Sequence, residues 1–174
     1  MTDLRRFIRD VPDFPRKGIL FKDITPLLLD PVALEAAIEQ LAARVQVPEA
    51  VVAIESRGFI FGAGLALHWH VPLVPARKFG KLPGKTVKEV YSLEYGEDTL
   101  ELHADSLRRE QRVVVVDDLL APGGTAVATA RLAEQLGARV EAMLFLVELT
   151  GLGGRSRLAQ YPVESLLQYE VAES

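Results

Sequence analysis

Two adjacent carboxylates, Asp117 and Asp118, close a run of four valines, and after two leucines comes the turn Ala121, Pro122, Gly123, Gly124, Thr125. Gly123 and Gly124 lack Cβ, so the backbone can turn tightly and aim its N–H groups at an oxygen-rich anion. The run that follows, TAVATARLAEQLG, has a helical pattern and would add the positive end of a helix to the same spot. Phosphate suits such a place. The aspartates would repel a phosphate, so they need another partner, either sugar hydroxyls or a cation. Together these residues suggest a phosphorylated sugar. The turn has no GK[ST] ending of a P-loop, and no GxGxxG opens the helix. An ordinary strand-to-helix turn with solvated aspartates would carry the same local pattern.

A second strand, loop and helix lie upstream. AVVAIE, 50–55, is an apolar run of buried-strand type, and Ser56, Arg57 and Gly58 lead into the helical FIFGAGLALHW. Glu55 to Gly58 then occupy the carboxyl end of a strand, where open α/β sheets bind ligands, and Arg57 becomes a candidate for an anionic group. Ser56 as a plain helix cap is the competing reading. A third buried strand, VPLVPA at 71–76, runs into Arg77, Lys78, Lys81 and Lys85, with Lys88 beyond. Gly80, Pro83 and Gly84 in that stretch predict a mobile cationic lid rather than an ordered element, a solvated basic loop being the alternative. TVKEVYSLEYG and DTLELHA alternate with period two and read as an antiparallel hairpin, with Tyr91 to Tyr95 as a wall of the site. Phe21 and Lys22 offer an aromatic face and a cation to a flat ring, within a Pro- and Gly-dense segment, 13–30, whose composition says irregular but packed. A surface wrap or subunit contact is the usual role of such a segment.

The remaining elements must position these groups. Thr2 or Asp3 can cap a short helix, LRRFIR, and Asp30 before Pro31 is a strong start for a scaffold helix marked by Leu34, Ile38, Leu41 and Val45. Gly137 stops the helix after the glycine turn, ARVEAMLFLVEL makes a long core strand, GLGGRSRLAQ a short helix after a flexible turn, and YPVESLLQY an edge strand. Short strand-to-helix connections imply an α/β fold with a mostly parallel sheet and helices on both sides. At 174 residues and 49% hydrophobic composition, one domain with a sizeable core is expected.

A net charge of −4 and a pI near 5.5 argue against a nucleic-acid-binding surface. Without cysteine the chain has no disulfides, thiol catalysis or Cys-ligated zinc, and His68, His70 and His103 show no metal spacing. No run of 18 apolar residues occurs and MTDLRRFIRD lacks an apolar signal region, so neither a membrane span nor export is expected and the location reads as cytoplasmic. Asparagine is absent and Arg outnumbers Lys, a bias that a thermophile and a GC-rich genome both produce.

The string VVVVDDLLAPGGT resembles the phosphoribosyl pyrophosphate (PRPP) signature of the type I phosphoribosyltransferases. Beside it, DFPRKGILFKDITPLL, ESRGFIFG, RKFGKLPGKT and YSLEYG resemble, in order and spacing over essentially the whole chain, the adenine phosphoribosyltransferase family. The resemblance implies the type I phosphoribosyltransferase fold, with a small N-terminal hood at 1–30 and a lid and hairpin at 77–104. It implies transfer of the 5-phosphoribosyl group from PRPP to adenine, giving AMP and pyrophosphate, with Mg²⁺ held mainly through the diphosphate and a homodimeric assembly.

Residue by residue, the resemblance puts the 5′-phosphate on Ala121, Pro122, Gly123, Gly124 and Thr125, the ribose hydroxyls on Asp117 and Asp118, and the pyrophosphate near Arg57, Arg77, Lys78 and Lys81. Adenine is expected against Phe21 and Leu152, its amino edge read by backbone near Leu20 to Lys22. Glu94 matches a glutamate near adenine N7, and Tyr95 closes the lid side. Four departures stand out. Pro122 replaces the usual Thr, removing a hydroxyl and an N–H; Lys22 replaces a more usual Arg; Glu55 stands where many relatives have Asp; and Phe79 lies at a variable position. Two rival readings are a transferase for another purine and a PRPP-binding regulator without catalysis. The DFPRKGILF and SLEYG stretches oppose the first, and the lack of spare length for a DNA-binding module opposes the second.

Overall fold

The computed structural model describes residues 2–92 and 96–171. Its centre is a seven-stranded sheet in the order β5-β6-β4-β3-β7-β8-β9. Strands β3 (Ala50–Ile54), β4 (Leu73–Lys78), β7 (Arg112–Leu120), β8 (Arg139–Thr150) and β9 (Val163–Glu170) run parallel. β5 (Thr86–Ser92) and β6 (Glu97–His103) form an antiparallel hairpin, joined through β6 to the outer side of β4. The parallel strands are apolar because both faces are covered. Val113 and Val115 of β7 pack with α4 (Gly124–Gln135), while Val114 and Val116 pack with α2 (Pro31–Ala42) and α3 (Gly58–Trp69) on the opposite face. Asp30 caps α2 as expected, its side chain accepting from the N–H groups of Val32 and Ala33.

This arrangement gathers the chemistry. The carboxyl ends of β3, β4, β7 and β8 lie along one edge of the sheet, so residues 55–58, 77–81, 117–125 and 150–154 meet there although they are far apart in sequence.

Three local expectations need correction. The N-terminal segment is more regular than its composition suggests: after a 3₁₀ turn at Leu4–Phe7, capped by Asp3, β1 (Arg9–Pro12) and β2 (Leu20–Asp23) form a hairpin, followed by α1 (Thr25–Leu29). Pro15 and Gly18 fall in the loop between those strands, Pro26 opens α1, and the strands are too short to show a period. Cross-strand ion pairs, Arg9 with Asp23 and Lys22 Nζ with Asp10 Oδ1 at 2.6 Å, hold them together. Ser56 does not cap α3; Arg57 occupies that position, with no side-chain cap bond.

The cationic segment is anchored rather than loose. Arg77 and Lys78 belong to β4, the Phe79 N–H donates to Thr99 O at 2.9 Å, and the Gly80 N–H donates to Glu101 Oε2 at 2.9 Å. Glu101 is buried at 3% exposure on β6 and also accepts from the Thr86 hydroxyl. These partners come from another strand, which a local reading of 77–85 does not reach.

Candidate active site

The turn from β7 into α4 has the shape of a cradle that could take an anion. Gly123 takes φ +80° at the position before the helix, a left-handed conformation that glycine adopts without steric cost. No side chain caps α4, so the N–H groups of its first turn have no intrahelical acceptor and face outward. A neighbouring turn braces the loop from behind. A Cβ on Gly154, the first residue of α5 (Gly154–Arg157), would stand 2.1 Å from Ala121 O, and one on Gly123 would stand 3.2 Å from Gly154 O. The loop borders a cavity of about 880 Å³ whose lining includes Tyr91, Asp117, Thr125 and Arg157.

Asp117 and Asp118 lie within β7, which continues to Leu120, rather than at its last position. Asp117 Oδ1 accepts the Asp118 N–H at 2.8 Å, and a Cβ on Gly58 would come 2.8 Å from the same oxygen. Gly58 therefore makes room for the carboxylate. Asp118 Oδ2 sits 2.8 Å from Arg57 Nη2, yet off the guanidinium N–H directions, so this buried oxygen lacks a hydrogen-bond partner among the described residues. Burial pushes the Asp117 carboxyl well above the usual carboxylate range, and the adjacent Asp118 charge adds to the effect. Burial also raises Asp118, with Arg57 opposing. A ligand bringing hydroxyl donors or positive charge would suit this pair.

Around the ends of β3 and β4 the cations are already partnered. Arg77 Nε pairs with Glu55 Oε2 at 2.9 Å, and its Nη1 donates to Lys81 O at 3.2 Å. Glu55 Oε1 accepts the Lys78 N–H, and Lys78 Nζ pairs with Asp98 Oδ2 at 3.1 Å. Asp98 raises the Lys78 pKa, and the Asp98 carboxyl is itself held low, first by the Thr99 N–H and then by Lys78. The Tyr91 hydroxyl donates to Asp98 Oδ2 at 3.3 Å and also reaches Thr125 of the cradle. A polar chain thus runs from Arg77 through Glu55, Lys78, Asp98 and Tyr91 to Thr125. The Lys81 side chain projects to solvent.

On the hood side Phe21 lies under Arg57, with the guanidinium carbon 5.4 Å from the ring centroid, and meets Phe14 edge-on at 5.1 Å. Lys22 points elsewhere: Nζ binds Asp10 and lies 4.2 Å from the Tyr169 ring centroid, leaving its backbone as the part able to read a ligand. Leu20 is exposed at the start of β2, and Leu152 is 41% exposed in the turn after β8. Glu94 and Tyr95 lie outside the described residues. Ser92, just before them, brings its carbonyl oxygen to 3.4 Å from a Cβ built on Gly124.

The sequence matches the phosphoribosyl transferase domain family over residues 28–163. It is 53% identical to an adenine phosphoribosyltransferase of Carboxydothermus hydrogenoformans across 169 residues, 96% of this chain and 99% of that one. The chain belongs to the adenine phosphoribosyltransferase family. The fold agrees with solved adenine phosphoribosyltransferases. That of Thermoanaerobacter pseudethanolicus superposes with a TM-score of 0.92 at 50% identity, covering 95% of this chain and 98% of that one. The Saccharomyces cerevisiae structure, complexed with an imino-altritol bisphosphate and adenine, gives 0.85 at 40% identity, covering 93% and 95%.

Within this phosphoribosyltransferase several residues escape a reading of the sequence. Asp98, Glu101 and Gly154 act across strand or loop boundaries, and nothing in their neighbours in sequence marks them. Arg157, in a short basic helix, borders the cavity beside the cradle. Arg155 joins a polar cluster around the buried Glu148, donating to its Oε1 and Oε2 at 2.9 and 2.6 Å, while Ser165 and Gln168 donate to Glu148 Oε2. Arg155 and the nearby hydrogen bonds hold the Glu148 carboxyl below its ordinary range.

Proposed function

We infer that the protein transfers the 5-phosphoribosyl group of PRPP to N9 of adenine, releasing pyrophosphate and forming AMP. The observation that carries this reading is similarity to adenine phosphoribosyltransferases over nearly the whole chain, with the cradle, acidic pair and cations converging on one edge of the sheet. Chain order and spacing of the five family-like stretches favour adenine over other purines.

In this reading the backbone from Ala121 to Thr125 holds the 5′-phosphate, and Asp117 and Asp118 accept the ribose hydroxyls. Those carboxylates also stand on the side where C1′ gains positive charge as its bond to the diphosphate oxygen breaks. The N9 lone pair forms the new bond to C1′ with inversion, and the electrons of the broken bond leave with pyrophosphate. Arg57, Arg77, Lys78 and Lys81 stabilise that leaving group, the first three exchanging their internal carboxylates for diphosphate oxygens and Lys81 turning in from solvent. Glu94 takes or holds the proton at N7, which makes N9 nucleophilic, and Tyr95 closes the hairpin side. Phe21 and Leu152 sandwich the base.

No cluster of three His, Cys, Asp or Glu residues suited to a metal exists among the described residues. The acidic pair, with the unbonded Asp118 Oδ2, fits a Mg²⁺ that takes most of its ligands from PRPP. When bound, Mg²⁺ neutralises diphosphate charge. Exposed Leu29, Val32 and Leu67 on the α1 to α3 side support a homodimer. No helix among the described residues is long and apolar enough to cross a membrane. Phosphorylated substrates do not cross bilayers unaided, which supports a cytoplasmic enzyme.

The deciding assay measures nucleotide formation from PRPP and Mg²⁺ with adenine, hypoxanthine, guanine and xanthine in parallel. Turnover of adenine alone, strongly reduced in Glu94→Gln, is the expected result. Turnover of another base in preference to adenine, or of none, overturns the reading.

A further inference from the structure

We propose that Arg157 is a phosphate-binding residue of this enzyme, closing the cradle beside Gly124 and contacting the 5′-phosphate of PRPP and AMP. The proposal rests on the adenine phosphoribosyltransferase reading above and adds to it a ligand from a different element. A Cβ built on Gly124 would stand 3.5 Å from Arg157 Nη1, so the guanidinium lies directly beside the first turn of α4. Arg157 lines the same cavity as Gly123, Gly124 and Thr125.

Its electrostatic setting is unusual. The N-terminus of a helix carries partial positive charge and disfavours a neighbouring cation. Arg157 nevertheless lies there, and among the described residues it makes no ion pair with any carboxylate. By contrast Arg131, which borders the same cavity, pairs with Glu89 at 3.1 Å. An anion placed between the guanidinium and the α4 amides satisfies both and turns repulsion into attraction.

The Arg157 side chain is exposed, but the backbone that carries it is fixed by the fold. Arg155 clamps α5 to Glu148 and to Val163 O, and Leu158 is fully buried in the core beneath it. Residues 155 and 157 are about 200° apart around a helix, so clamping the first turns the second toward the cradle. The Arg157 N–H donates to Gly153 O at 3.0 Å, and Gly154 abuts Ala121, which ties the position of Arg157 to that of the loop it serves. Pro122 gives the reason such help is needed. Proline supplies neither an N–H nor a hydroxyl, so the turn offers fewer donors than its length permits, and a guanidinium restores both donors and charge.

The test compares wild type, Arg157→Gln and Arg157→Lys as full-length protein, using calorimetry with AMP, ribose 5-phosphate and adenosine, together with the KM for PRPP. Arg157→Gln should weaken AMP and ribose 5-phosphate about tenfold, leave adenosine unchanged, and raise the PRPP KM more than it lowers kcat. Arg157→Lys should recover a substantial part of the loss, because it keeps the charge. Unchanged AMP affinity in Arg157→Gln, or equal losses for AMP and adenosine, overturns the proposal, the second result showing a packing role instead. Failure of the wild type to bind AMP or to form it would overturn the adenine reading, a result distinct from either.

Discussion

At the turn between β7 and α4 an anion would meet backbone N–H groups that no side chain caps, whereas at the ends of β3 and β4 it would meet side chains that already have partners. The first region is fixed by close packing, Gly154 against Ala121 and Gly123. The second is held by charge, with Arg77 on Glu55, Lys78 on Asp98 and Arg57 beside Asp118. The difference follows from what each region is proposed to do. The 5′-phosphate is held unchanged throughout the reaction, and a rigid receptor wastes no binding energy on reorganisation. The diphosphate arrives, gains charge and departs, so its partners must exchange rather than stay locked.

Gly154→Ala attacks the packed region and should have the largest effect. The added methyl cannot coexist with Ala121 O, the cradle must shift, and kcat/KM for AMP formation should fall about a hundredfold. Overpacking should also cost about 1–3 kcal/mol of stability, read from denaturant melts. Retention of full activity would show that the loop is not rigid. Asp117→Asn comes next, with activity and stability expected to move in opposite directions. A carboxyl whose folded pKa is raised contributes stability below its unfolded value, near 3.8, and loses it as pH rises through the folded value. At pH 7 the wild type therefore carries a penalty that Asn removes. The variant should lose about tenfold in kcat/KM yet melt at higher temperature than wild type, and the gain should vanish below pH 4. A lower melting temperature at pH 7 would contradict the assigned burial effect.

The smallest expected change tests the exchangeable region. Asp98→Asn removes the charge that holds Lys78, and the PRPP KM at low salt should fall about two- to threefold. A rise would mean that Asp98 positions Lys78 instead of restraining it. The same logic predicts proton release when PRPP binds in the pH range where the raised Asp117 carboxyl titrates, since ribose donors and positive charge favour its ionised form. Calorimetry in buffers of different ionisation enthalpy should detect it, and Asp117→Asn should reduce it.

The contrast between the regions also governs how much could be read beforehand. The valine strand, the glycine turn and α4 are contiguous, so strand, cradle and helix were legible in thirteen residues and their successors, as was the Asp30 and Pro31 helix start. The parallel order of the sheet followed from short connections. Anchoring of the cationic segment was not legible, because Glu101 and Asp98 reach it from β6 and their own surroundings read only as an alternating strand. Strands β1 and β2 were hidden by a loop rich in Pro and Gly. Lys22 illustrates a different limit: residue type suggested a ring contact, and only register shows its side chain on the Asp10 and Tyr169 side, away from Phe21 and Arg57.

The internal pairing of the cations has a consequence for life in a crowded cell. Abundant polyanions, nucleoside triphosphates among them, outnumber any single sugar phosphate and are drawn to exposed clusters of Arg and Lys. A resting enzyme whose Arg77, Lys78 and Arg57 are already balanced by Glu55, Asp98 and Asp118 gives such bystanders little to hold. A ligand that also fills the proposed backbone cradle would gain the additional binding needed to break those pairs.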